Sequence, residues 1–192
     1  MTIPPIVLAS ASTRRRDLLN QIGLEPLAII PTNIDETPHP REVPQLYALR
    51  MAHEKALAAL LPDDLKGGAV VLAGDTVVAV GRRILPKAET EDQARTCLTL
   101  ISGRRHRVYG GIALRLADGM VRSRVVTSKV TFKRMHRDEI DSYIATGDWR
   151  GKAGGYAIQG PAAAYIRHID GSYSNIVGFS LFDVSALLMA SG

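Results

Sequence analysis

The chain has almost no cysteine. Cys97 stands alone among 192 residues, which excludes an internal disulfide framework and a thiolate metal cluster. Bulky aromatics are scarce too. Three Phe and one Trp leave few rings for stacking bases, and no recognised nucleic-acid-binding motif occurs, so no stable nucleic-acid partner is expected. No run approaches ~20 apolar residues, so no membrane span is expected. The opening MTIPPIVLAS lacks a basic n-region, and its apolar part is short and broken by proline. No signal peptide is expected, and the cytoplasm is the default compartment. G-x-x-x-x-G-K-[ST] is absent, as is G-x-G-x-x-G after a strand, so any nucleotide is bound by other means. H-x-x-x-H and H-E-x-x-H spacings are also missing, which argues against zinc.

What is present is ordinary for a soluble globular protein: 46% hydrophobic and 22% charged residues. The length suits one sizeable α/β domain, or two small lobes around a cleft. A formal charge of +5 favours an anionic ligand. No repeat, low-complexity tract or long linker divides the chain, so residues 1–192 read as a single domain.

Ile6-Val7-Leu8 suits a buried strand. Ser12 can cap a helix with the apolar face Leu18, Leu19 and Ile22, stopped by Gly23. Leu27 to Ile30 reads as a second strand, followed by the polar loop PTNIDETPHPREVP. Leu46 to Leu61 predicts a helix on Leu46, Leu49, Ala52, Ala56 and Ala59–Leu60. Ala69 to Leu72 and Val77 to Val80 flank an acidic turn, AGDT, and Gly81-Arg82-Arg83 turns into Ile84-Leu85. Thr90 and Gln93 form a capping-box pattern, with Ala94, Cys97, Leu98 and Ile101 at helical spacing and Gly103 closing the helix. Val108 to Leu116 and Val121 to Phe132 read as paired strands. Ile140, Tyr143 and Ile144 mark a short helix, 151–160 a glycine-rich loop, and Asp183 opens a last helix through Met189. This alternation predicts a mixed sheet with helices on both faces, in two lobes.

LASASTRRRDLL, after the first strand, presents free N–H groups at a helix N-terminus, hydroxyls from Ser10, Ser12 and Thr13, and the planar forks of Arg14 and Arg15. That set suits phosphate. The bland alternative is a capped helix with a solvated basic turn, although cations there oppose the helix dipole. Asp35-Glu36 and Asp75 sit near strand ends, where carboxylates can share Mg²⁺ with substrate phosphates; an Asx-turn and loop solvation are the alternatives. Lys55 and Lys87 read by themselves as surface lysines. SGRRHRVYG reads as a solvated basic loop. In GKAGGYAIQGPAAAYIRHIDGSYSNIVG the glycines permit close approach to a ligand and Gln159 offers an amide to a base edge, or the stretch is a pair of strands joined by glycine turns.

Read together, LASASTRRRDLL, IDE, HEKA, GDTVV, LPKAE, SGRRHRV, VTFK, KAGGYAIQG and GSYSNIVGFSL resemble, in order and along nearly the whole chain, the Maf family of nucleoside triphosphate pyrophosphatases. The resemblance implies a mixed β-sheet flanked by helices, with two lobes around a central substrate groove. It also implies hydrolysis of a nucleoside triphosphate to the monophosphate and pyrophosphate with Mg²⁺ or Mn²⁺. By motif, Arg14 and Arg15 match the family's phosphate-binding arginines, and Lys55 and Lys87 its lysines. Glu36 and Asp75 match its metal-site and catalytic carboxylates, with Asp75 as general base. Arg14, Thr76 and Gln159 fall on its specificity positions. Thr76 and YAIQG look like the branch preferring dTTP and UTP rather than the branch acting on 7-methyl-GTP. Homodimers are common in that family, which has also been linked to cell-division arrest. Departures are Ala73-Gly74 for the usual Gly-Ala, Lys87-Ala88 for Lys-Pro, Gly110 for Thr or Ser, and Gly151 for an acidic residue.

Overall fold

The computed structural model describes residues 3–190; Met1 and Thr2, which open the stretch read above for a signal peptide, lie outside it. Among the described residues seven strands form one mixed sheet in the order β2 (Ala28–Ile29), β1 (Ile6–Ala9), β3 (Val70–Val80), β5 (Arg105–Arg115), β6 (Val121–Phe132), β7 (Ile166–Asp170), with β4 (Arg83–Leu85) against β3. β1 (Ile6–Ala9) is buried along its whole length, as its unbroken apolar run requires. It pairs in parallel with the short β2 (Ala28–Ile29) and with β3 (Val70–Val80). β3 turns at Gly81 into antiparallel β4 (Arg83–Leu85). The hairpin of β5 (Arg105–Arg115) and β6 (Val121–Phe132) extends the sheet on the other side of β3.

The side-chain period of two sorts the sheet into two cores. Leu8, Val70, Leu72, Val78, Ile112 and Leu114 face the main core. That core also takes residues from α1 (Thr13–Gln21), α3 (Glu91–Ile101), α4 (Arg137–Ala145) and α6 (Leu181–Met189). Val7, Ala9, Val71, Ala73 and Ala113 face the opposite side, under α2 (Pro44–Ala58). α3 opens on the expected capping box, with Thr90 Oγ1 accepting from Gln93 N–H at 3.3 Å, and it buries Ala94, Cys97, Leu98 and Ile101.

Several expectations are corrected. AGDT is no turn: Gly74 and Asp75 lie in the middle of β3. A Cβ on Gly74 would come within 2.3 Å of the Phe179 ring, so this glycine serves a close contact inside a strand. α2 buries Tyr47, Ala48, Met51, Ala52, Lys55 and Ala56, while Leu46 and Leu60 face solvent. Close packing sets that face: a Cβ on Gly111 would stand 2.0 Å from the Ala48 carbonyl, so helix backbone rests almost directly on strand backbone. Ser12 sits at the N-cap of α1 but its side chain makes no capping bond, and Ile22 lies at the surface. SGRRHRV is mostly strand, not loop; β5 starts at Arg105 and alternates, with Arg105 and Arg107 outward and His106 and Val108 inward. Residues 151–160 are a loop as expected, but the chain then enters a 3₁₀ turn, β7 (Ile166–Asp170) and α5 (Tyr173–Val177). α6 starts two residues before Asp183, capped by Ser180. No helix among the described residues is long and apolar enough to cross a membrane.

Candidate active site

β1 ends beside Ala73, and β4 takes up β3 only from Val78. Along that edge Gly74 to Val77 have no ladder partner, and the chain leaving β1 swings away into α1. The gap lies beyond the carboxyl end of a parallel strand, where open α/β sheets bind their ligands. A cavity of about 420 Å³ opens there, lined by Ala9–Arg15, Glu36, Lys55, Asp75, Thr76 and Lys87, and by part of the glycine-rich loop.

Consecutive strand residues point to opposite faces, so Asp75 looks towards α2 and Thr76 towards α1. Lys55 projects from α2 with its Nζ 2.7 Å from Asp75 Oδ1 and 2.6 Å from Glu36 Oε1. Lys87 Nζ lies 2.7 Å from Glu36 Oε2. The four side chains form one line of alternating charge, with Lys55 and Asp75 buried and Glu36 and Lys87 at the mouth. Partial burial alone would raise the Glu36 carboxyl, but hydrogen bonds from Lys55 and Lys87 outweigh it and hold the group down at about 2. Burial and the nearby charges of Asp75 and Glu36 push the Tyr47 phenol up to about 12.

The loop carrying Glu36 has no regular structure, so α2 has to hold it. Tyr47 Oη donates to the Glu36 carbonyl at 2.6 Å, and Arg50 donates to Glu42 at 2.7 and 2.8 Å and to the Thr37 carbonyl at 3.1 Å. Asp35 is spent locally, its Oδ1 accepting from the Thr37 N–H at 2.9 Å, so of the two adjacent carboxylates only Glu36 joins the line. The segment carrying Lys87 is pinned to the glycine-rich loop by Ala88 N–H to the Lys152 carbonyl at 3.1 Å and Gly154 N–H to the Pro86 carbonyl at 3.0 Å.

The two arginines differ. Arg15 is buried and spends three donors on the protein: Nε to the Gly178 carbonyl at 3.1 Å, Nη1 to Ser10 Oγ at 2.9 Å and Nη2 to Thr76 Oγ1 at 3.0 Å. Burial lowers its guanidinium from the ordinary value, and the charges of Asp75 and Glu36 oppose that. Arg14 is half-buried on the cavity wall, lowered by burial, with Asp148 opposing. Ser12 and Thr13 line the cavity beside it, whereas Gln159 is exposed and outside the lining, although its neighbour Ile158 belongs to it. Sequence reasoning missed Lys152, Tyr156 and Thr32, all on the cavity wall; Thr32 Oγ1 is buried with no hydrogen-bond partner. A lysine inside a glycine-rich run was the available signal for Lys152.

Glu36 and Asp75 contact the same ammonium, so their carboxylates face each other across it. Among the described residues no group of three or more His, Cys, Asp and Glu could hold a metal by itself. Two carboxylates on a cavity wall shared with Arg14, Lys87 and Lys152 fit a hard cation that would take its other ligands from substrate and water.

The sequence profile described as Maf-like protein matches residues 5–191. A dTTP/UTP pyrophosphatase of Paramagnetospirillum magneticum (strain AMB-1) is 58% identical over 97% of this chain and 97% of its own. One of Rhodospirillum rubrum is 57% identical over 98% and 88%, and one of Rhodopseudomonas palustris (strain HaA2) 54% over 98% and 93%. Among solved structures, a HAM1 protein from Coxiella burnetii superposes with a TM-score of 0.52 over 97% of this chain and 99% of its own, at 15% identity, a likeness of fold alone. With its profile spanning the chain and relatives this close, the protein belongs to the Maf family.

Proposed function

We propose that the chain is a nucleoside triphosphate pyrophosphatase that hydrolyses dTTP and UTP to the monophosphate and pyrophosphate. The observation that carries this reading is the Lys87–Glu36–Lys55–Asp75 line at the edge of a cationic cavity. The base preference is supported by the relatives named for dTTP and UTP.

The triphosphate is taken up by Arg14, Lys87 and Lys152 and by the hydroxyls and free N–H groups at the start of α1. Asp75 orients a water and accepts its proton as the oxygen attacks the α-phosphorus. The bond from the α-phosphorus to the bridging oxygen breaks, and the charge gathering on pyrophosphate falls beside the basic groups. Lys55 fixes the rotamer of the Asp75 carboxylate through their 2.7 Å contact. Glu36 and Asp75 are the residues that would hold Mg²⁺ or Mn²⁺, which when bound screens the phosphate charges. Arg15 shapes the site from behind, and Thr76 acts on base selection through the bond it accepts from Arg15.

The test is pyrophosphate release from a panel of canonical and modified nucleoside triphosphates with Mg²⁺ and with a chelator. Fast release from dTTP and UTP that stops on chelation is expected. Release from 7-methyl-GTP alone would keep the chemistry and overturn the base preference. Silence on every substrate would overturn the reading, and oligonucleotide affinity falling steeply with salt would then mark a backbone-phosphate binder.

A further inference from the structure

The cavity's inner wall differs chemically from its mouth. Val78, Val108, Tyr156, Ile158, Ile176 and Val177 line it, and all six belong to the main apolar core. A nucleotide has one densely charged end and one flat, weakly polar end. The cations and hydroxyls at the mouth claim the first, which leaves the base to the apolar wall. Among the described residues, Tyr156 supplies the only aromatic ring on that wall.

Tyr156 is held from several sides. Its ring packs edge-on against Phe132, with centroids 5.0 Å apart, and against His106 at 5.5 Å. Its hydroxyl lies 2.8 Å from His106 Nε2. Gly154, two residues earlier, has φ +70° and lies so close to β3 that a Cβ there would stand 2.7 Å from Val78 Cγ1.

His106 itself does not line the cavity. It points inward from β5, 1% exposed, and burial pushes its imidazole down to about 4, so it is neutral at neutral pH. Its Nδ1 is buried with no hydrogen-bond partner. An apolar side chain would avoid that cost. What the imidazole gains is a single polar bond, the one to Tyr156.

We infer that His106 is a positioning residue for nucleotide binding: it fixes Tyr156 as the aromatic wall against which the base is held. The inference rests on the cavity being a nucleotide site, as proposed above.

The test compares the wild type with His106→Phe, His106→Gln, Tyr156→Phe and the His106→Phe/Tyr156→Phe double variant. Affinity is read by calorimetry with the non-hydrolysable α,β-imido analogue of UTP, kcat and KM are read with UTP, and melting curves monitor folding. His106→Phe is expected to raise Kd and KM about fivefold, as loss of one buried hydrogen bond does, with kcat within about twofold. His106→Gln, whose amide can reach the same phenol, recovers most of the affinity. In the Tyr156→Phe background, His106→Phe adds nothing. Unchanged Kd and KM in His106→Phe, or an effect that persists without the Tyr156 hydroxyl, overturns the inference. Should His106→Phe not fold, Tyr156→Phe decides: a raised Kd there, with His106→Gln near wild type, supports the inference, and an unchanged Kd overturns it. A wild type that binds the analogue but releases no pyrophosphate defeats the proposed reaction while Kd still tests this inference. A wild type that does not bind it defeats both.

Discussion

Lys55 lies between two carboxylates, and removing its charge strands Asp75, whereas Glu36 keeps Lys87. Its side chain and that of Asp75 are each only 9% exposed, so Lys55→Met leaves a desolvated carboxylate without a partner. Breaking a buried pair in this way costs about 3–5 kcal/mol. Urea denaturation should show that loss, and a stability within error of wild type would mean the pair is not desolvated. Asp75→Asn keeps the shape and removes the proposed base, so turnover should fall on the order of 10²–10³-fold while nucleotide affinity is largely kept. Near-normal turnover would remove Asp75 from its role. At this scale the sequence was informative where a residue type names its chemistry. Arg14, Glu36 and Asp75, read from residue type, and Lys55 and Lys87, which by themselves read as surface lysines and were singled out only by the family resemblance, all line one cavity. It was silent where the partner decides: nothing in LASASTRRRDLL says that Arg15 would spend its donors on Ser10, Thr76 and Gly178.

Elements form in the right places but turn for reasons outside themselves. Local signals sufficed for α3, where cap and apolar spacing lie within a few residues of each other. They failed for α2 and β3, whose faces are set by distant contacts: Gly111 of β5 under Ala48, Phe179 against Gly74, and the Lys55–Asp75 pair between the two. Gly111→Ala tests this, because the added methyl meets the Ala48 carbonyl, which is backbone and cannot rotate away. A loss of about 3 kcal/mol by denaturation is expected, with turnover impaired as α2 and its Lys55 shift. No loss would mean that α2 does not sit that close. The loop over 31–43 carries its own prediction. Glu42 is held at about 2, chiefly by its hydrogen bond from Arg50, and Glu36 is also held at about 2. Both lie below the usual carboxylate value of 4.5, so their contribution is complete above pH 4.5 and is lost as pH falls through 2. Limited proteolysis should therefore find this loop fully protected above about pH 4.5 and increasingly released as pH falls towards 2, with Glu42→Gln releasing it at higher pH. Cleavage independent of pH across that window would contradict the docking.

Across the whole molecule, a sheet broken at one edge, between the end of β1 and the start of β4, brings the basic start of α1, an ion-pair line and an apolar wall to one cavity. Sequence order hid this, since the contributing segments lie between residues 9 and 177. The reaction proposed above makes a single chemical statement: water attacks the α-phosphorus at the Asp75 end of the line. Hydrolysis of UTP in H₂¹⁸O, with mass analysis of both products, tests it directly. The label should appear in the monophosphate, with unlabelled pyrophosphate released beside it. Label in the pyrophosphate, or inorganic phosphate released with the diphosphate, would contradict attack at the α-phosphorus.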